Sequence, residues 1–175
     1  LNLATDYTGG ASTLVVLRGL LQEIGAEFDV IEYYSPLSRP LAEALARLLD
    51  IPAAAYGGPS RRERSLLMIA WAADIVGPHK AFSGNTSSRA IFAYGLTSLM
   101  QLPITPDIIG CLARECAMPW AVQLESIDDS KRQPSGQHPL NEIQAQAVDK
   151  ILERAASLES QPELIVRIED LAKYY

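Results

Sequence analysis

Cysteine is scarce in this chain. Two occur in 175 residues, Cys111 and Cys116, and their five-residue spacing fits neither a zinc knuckle nor a Cys-x-x-Cys redox pair. Along a helix five residues turn about 140°, so the two thiols are expected to diverge and to remain reduced, as buried thiols in a cytoplasmic protein do. Histidine is equally scarce: His79 and His138 fall in separate loops and offer no metal-ligating set, so no metal is expected. Positive charge is in deficit, with 15 Lys and Arg against 21 Asp and Glu, a net charge of −6 and a pI of about 4.9. This argues against nucleic acid as the main partner, because phosphate binding needs a basic face. No apolar run is long enough to span a bilayer and no secretory leader is evident, so the expectation is a cytoplasmic chain with no membrane contact. What is plentiful is hydrophobicity: 48% apolar against 21% charged residues forecasts a sizeable core rather than disorder. The length suits one domain or two small ones.

Patterning then orders the chain. Residues 1–4 alternate weakly and read as a short strand, and "TDYTGGAST" as a turn. Leu14, Leu17, Leu21 and Ile24 recur at helical spacing, and Gly25 stands where a glycine C-cap belongs. "FDVIEYY" is rich in β-branched and aromatic residues, a strand signature. "PLAEALARLLD" opens with proline in the first helical turn and puts Leu41, Ala44, Leu45 and Leu48 on one face. "PAAAY", "GGPS" and "RRER" predict a short strand, a turn and a charged edge strand. "SLLMIAWAADIV" is apolar on all sides. Its length and the serine at its front predict a helix with Ser65 as N-cap. Beyond Gly77-Pro78, "SSRAIFAYGLTSLMQ" reads as a helix, and so does "TPDIIGCLAREC", with Thr105 as cap and Pro106 in its first position. "MPWAVQLE" is ambiguous, "SIDDSKRQPSGQHP" is a polar loop, and a long helix carries Ile143, Ala147, Ile151 and Ala155 on one face. The resulting division is an α/β half over residues 1–76 and a mostly helical half over 77–175.

A βαβ unit followed by a two-strand hairpin and a helix resembles the thioredoxin-like order. Joined to a helical second half, it resembles the glutathione transferase family. The residues that carry the likeness are Ile51-Pro52, in the place of that family's cis-proline step, and Arg64-Ser65, in the place of its acid-serine step. Leu67, Met68 and Trp71 follow at the positions of its Ser-x-Ala-Ile-x-x-Tyr helix. "LVVLRGLLQEIGAEFDVIEYY" is similar to the family's first helix and second strand. The resemblance implies a thioredoxin-like domain followed by an all-helical domain, with glutathione as co-substrate and an electrophilic apolar second substrate. Ile51 and Pro52 would present backbone groups to the peptide-like ligand, and Arg64 and Ser65 would meet its carboxylate. Tyr7 or Ser12 would lie near the sulfur to stabilise the thiolate, and family analogy implies a homodimer.

The sequence departs from that pattern in two places. Arg64 stands where an acid or amide is usual, and no cysteine follows the first strand. Both favour a non-catalytic protein-interaction or assembly module of the same fold. A rival helix motif, Ser87-Ser88-Arg89-Ala90-Ile91-Phe92-Ala93-Tyr94, matches residue by residue but needs a long insertion ahead of it. A further alternative is a single doubly wound α/β domain that binds a nucleotide or sugar phosphate at "DYTGG", although the G-x-G-x-x-G spacing is missing. "SGNTS" at 83–87 is similar to a substrate loop of pyridoxal-phosphate enzymes but has no matching lysine context, so a polar loop is the ordinary reading. Clustered at strand ends, Asp6, Glu32 and Asp74 could hold a metal, but no spacing demands it and their default roles are capping and solvation. Arg61, Arg62 and Arg64 read as a solvated edge, and Trp71 and Trp120 as core.

Overall fold

In a computed structural model the chain is described over residues 6–58, 63–75, 88–96, 102, 104–112, 118–125 and 139–159. Helix α1 spans Thr8–Glu23, strand β1 Val30–Tyr33, helix α2 Arg39–Leu49, strand β2 Ala53–Ala55 and strand β3 Ser65–Trp71. A short 3-10 turn, Ala72–Ile75, follows β3, and strands β4 (Arg89–Leu96) and β5 (Ile108–Leu112) complete the sheet. Helices α3 (Pro119–Glu125) and α4 (Pro139–Leu158) close the described chain. The five strands form one sheet in the order β2-β1-β3-β4-β5, and every neighbouring pair is parallel.

The front of the chain folds as its pattern indicates. In α1, Leu14, Leu17 and Leu21 are buried at helical spacing, and Gly25 ends the helix at φ +65°, a left-handed turn that glycine adopts without a Cβ clash. Helix α2 buries Leu41, Ala44 and Leu45, and its C-cap Asp50 is itself left-handed at φ 56°, a conformation that short polar side chains tolerate.

The thioredoxin-like reading is corrected by the sheet. In that fold β2 and β3 would form an antiparallel hairpin. Here β2 lies on one side of β1 and β3 on the other, both parallel to it. No cis peptide occurs among the described residues, so Ile51-Pro52 is trans. Glu63 and Arg64 lie outside any strand, and Ser65 is the first residue of central strand β3 rather than a helix cap.

The all-helical second half is corrected with it. "RAIFAYGL" is β4 and "IIGCL" is β5, so the sheet continues beyond Gly77-Pro78. The physical reason is burial on both faces. A central parallel strand is covered above and below, so it reads as an unbroken apolar run without the alternation that marks a half-exposed strand. The architecture is therefore the α/β, parallel-sheet class kept above as the alternative.

Two cores flank the sheet. Ile31, Leu66, Met68, Ala70, Phe92 and Tyr94 meet the buried faces of α1, α2 and α4, with Trp120 of α3. Leu67, Ile69, Ile91 and Ala93 face the opposite way and pack with Ala72 and Ile75, beside Tyr34 and Tyr56. Cys111 stands on β5 rather than on a helix and is disulfide-bonded. The expected reduced, diverging thiol is thus corrected at Cys111, because the helical turn that argument assumed is absent there. Cys116, His79, His138, Arg61, Arg62, "SGNTS" and the expected strand at 1–4 lie outside the described residues. Among the described residues no helix is long and apolar enough to cross a membrane.

Candidate functional site

Parallel strands place all their carboxyl ends at one edge of a sheet. Strand order reverses between β1 and β3: the chain steps from β1 outward to β2 on one side, then from β3 to β4 to β5 on the other. The connections leaving β1 and β3 at such a switch point diverge, leaving a crevice at the carboxyl edge. Tyr34, Ser35, Pro36, Leu37 and Ser38 lead from β1 into α2 on one side of it, and Ala72 to Ile75 leave β3 on the other.

The β1–α2 loop is held together by one side chain. Ser38, fully buried, accepts from the Tyr34 and Ser35 N–H groups (3.2 and 3.1 Å) and lies 3.2 Å from the Ser35 carbonyl, to which it donates. Across the crevice, the Asp74 carboxylate accepts from the Trp71 N–H at 3.2 Å. Burial raises the Asp74 pKa above the usual carboxylate value, against the opposing pull of that N–H.

The start of α1 reaches the same edge. A Cβ on Gly10 would meet Leu41 and Trp120, and the Trp120 indole N–H donates to the Leu37 carbonyl at 2.9 Å. Tyr7, which precedes α1, stacks on Trp120 with ring centroids 6.0 Å apart. Burial raises the Tyr7 pKa. Beside it a cleft of about 360 Å³ is lined by Asp6, Tyr7, Lys150, Glu153, Arg154 and Ser157. Arg154 Nε donates to the Thr8 hydroxyl at 3.0 Å, and the Lys150 ammonium lies 5.3 Å from the centre of the Tyr7 ring. Asp6 Oδ1 accepts from the Thr8 N–H at 2.8 Å. The Thr8 hydroxyl first, then that N–H, holds the Asp6 carboxyl below its usual range; Arg154 adds a smaller pull.

The residues singled out from sequence divide between the two edges. Tyr7 and Ser12 belong to the beginning of α1, at the carboxyl edge. Ile51 and Pro52 precede β2 and Arg64 precedes β3, all at the amino edge with Ser65. Even there, β1 separates Ile51 and Pro52 from Arg64 and Ser65. The Pro52 carbonyl is taken by the Ile31 N–H (3.0 Å), and Arg64 pairs with Asp29 and Glu27. The Ser65 hydroxyl is buried without a hydrogen-bond partner among the described residues. The structure brings no pair from these two edges together. Nor do Asp6, Glu32 and Asp74 meet: among the described residues no group of three metal-ligating side chains forms.

Other polar residues stand out in the structure. Glu32, wholly buried in β1, accepts from Arg89 Nε at 2.7 Å and Nη2 at 3.1 Å and from the Gly57 N–H at 3.0 Å. The Arg89 guanidinium lies 4.9 Å from the Tyr56 ring centre. An acid flanked by apolar and aromatic residues in "VIEYY" is a signal that could have pointed to this pair. Lys150 and Arg154, four residues apart on α4, had none, since cations at that spacing are ordinary on a solvated helix face.

No family model and no curated protein matches the chain. Among solved structures, a purine phosphoribosyltransferase from Pyrococcus horikoshii Ot3 is similar over 56% of this chain and 79% of its own, at 15% identity and a TM-score of 0.40.

Proposed function

We propose that this α/β chain binds a phosphorylated small molecule, a nucleotide or a sugar phosphate, at the carboxyl edge of its sheet. The observation that carries the reading is the reversal of strand order between β1 and β3, because open parallel sheets bind ligands in the crevice at such a point. The cations Lys150 and Arg154 at the same edge support it, since anionic ligands need donors of positive charge. The glutathione reading loses its scaffold, because the residues it would use stand at opposite edges of the sheet.

Calorimetric titration of the whole chain with AMP, ribose 5-phosphate, ribose and glutathione tests the proposal. Saturable heat with a phosphorylated ligand, together with a rise in melting temperature, is the expected result. Equal response to ribose and ribose 5-phosphate, or no response to any phosphorylated ligand at millimolar concentration, overturns it.

A further inference from the structure

We infer that the ligand's phosphoryl group sits in the α1–α4 cleft, on Arg154 and Lys150, rather than on the amides of the β1–α2 loop. The inference rests on the phosphorylated-ligand reading above and locates its charged end.

A loop between a strand and a helix ordinarily offers free N–H groups to a phosphate. Here the loop answers three of its amides itself: the buried Ser38 hydroxyl takes the Tyr34 and Ser35 N–H groups, and the Ser35 hydroxyl accepts from the Ser38 N–H at 3.3 Å. A phosphate oxygen would have to displace a side chain already in hydrogen-bonding position.

The cleft is in the opposite condition. Arg154 is anchored through Nε alone, by the Thr8 hydroxyl, and its two terminal nitrogens make no hydrogen bond or ion pair among the described residues. A planar guanidinium fixed at Nε presents a fork suited to two phosphate oxygens. Lys150 is one helical turn away. It contacts the Tyr7 ring and makes no ion pair among the described residues. Of the two carboxylates in the lining, Asp6 is committed to the N–H and hydroxyl of Thr8. Glu153, exposed and unpaired among the described residues, opposes an incoming anion. The volume, about 360 Å³, admits a small phosphate ester.

Titration of wild type, Arg154→Ala, Arg154→Lys, Lys150→Ala and Glu153→Gln with ribose 5-phosphate and with inorganic phosphate tests this. Expected is a loss of about tenfold or more for Arg154→Ala, only partly restored by lysine, as for a charge-assisted bidentate contact. A smaller loss is expected for Lys150→Ala and tighter binding for Glu153→Gln. These positions are exposed, and unchanged melting temperatures in the absence of ligand check that folding is intact. If Arg154→Ala and Lys150→Ala both bind ribose 5-phosphate as wild type does, the phosphoryl group lies elsewhere: this inference fails and the broader reading stands. If wild type binds neither ligand, both fall.

Discussion

Glu32 shows what one residue can demand of a fold. A carboxylate taken wholly out of water is tolerable only when its charge and lone pairs are answered, and Arg89 and the Gly57 amide answer them. Glu32→Leu alone takes the buried carboxylate away from Arg89 and is expected to cost about 3–5 kcal/mol, read by denaturant unfolding. Adding Arg89→Met should recover a large part of that loss, whereas additive costs would show that the pair is not coupled. Gly110 is constrained differently. A Cβ there would come within 2.8 Å of Thr13 Cγ2, 2.9 Å of Phe92 Cζ and 2.9 Å of the Tyr94 carbonyl, so Gly110→Ala should destabilise by about 1–3 kcal/mol. Tyr94 sets an alkaline limit. Burial pushes its hydroxyl up to about 12 from an ordinary value of 10.0. The unfolded chain therefore releases this proton first, and stability falls as pH rises from the unfolded value through the folded one. Tyrosinate absorbance that titrates fully near the ordinary value with the fold intact would contradict this.

Among the elements, legibility followed exposure. Helices α1 and α2 keep one wet face, so their apolar spacing announces them, and "FDVIEYY" carries β-branched and aromatic residues. Strands β3 and β4 are covered on both faces and lose the period that would identify them. Polar residues at strand starts then mislead, because a free backbone amide there invites the same acidic partner as one at a helix's start. Asp107 makes this concrete. It looks like a first-turn helix residue, yet its carboxylate accepts the Ile91 N–H at 2.7 Å while its own N–H donates to the Ile91 carbonyl at 2.9 Å. Asp29 repeats the arrangement with Arg64, at 2.7 and 2.8 Å. Both aspartates fasten an incoming strand to its neighbour. Asp107→Ala should lower stability by roughly 1–3 kcal/mol and speed hydrogen exchange selectively at Ile91. Uniform acceleration across β4 would argue against a local clasp. Arg64's N–H first, then its side chain, lowers the Asp29 pKa. That contribution is present above the unfolded carboxylate value and is lost as pH falls through the folded one.

For the whole molecule, the carboxyl edge became visible only once the strand order was known. "DYTGG" and the cations of α4 are far apart in sequence, and only the packing of α4 against α1 brings Arg154 to Thr8. That helix also fastens α2, through Arg47 to Asp149, and the loop ahead of it, through Gln144 to the Pro36 carbonyl. Residues 1–76 alone would therefore leave the outer faces of α1 and α2 bare. As a fragment they are expected to show no cooperative thermal transition, whereas a sharp melt would show that this half folds by itself.

The late position of α4 also bears on how the chain is made. Arg47 and Asp149 are 102 residues apart, an interval of about 5–20 s at ordinary rates of synthesis. Through that interval the emerging chain carries the apolar flanks of α1 and α2 with nothing to cover them. Nascent chains stalled before α4 should therefore recruit ribosome-associated chaperones, and release them once that helix clears the exit tunnel.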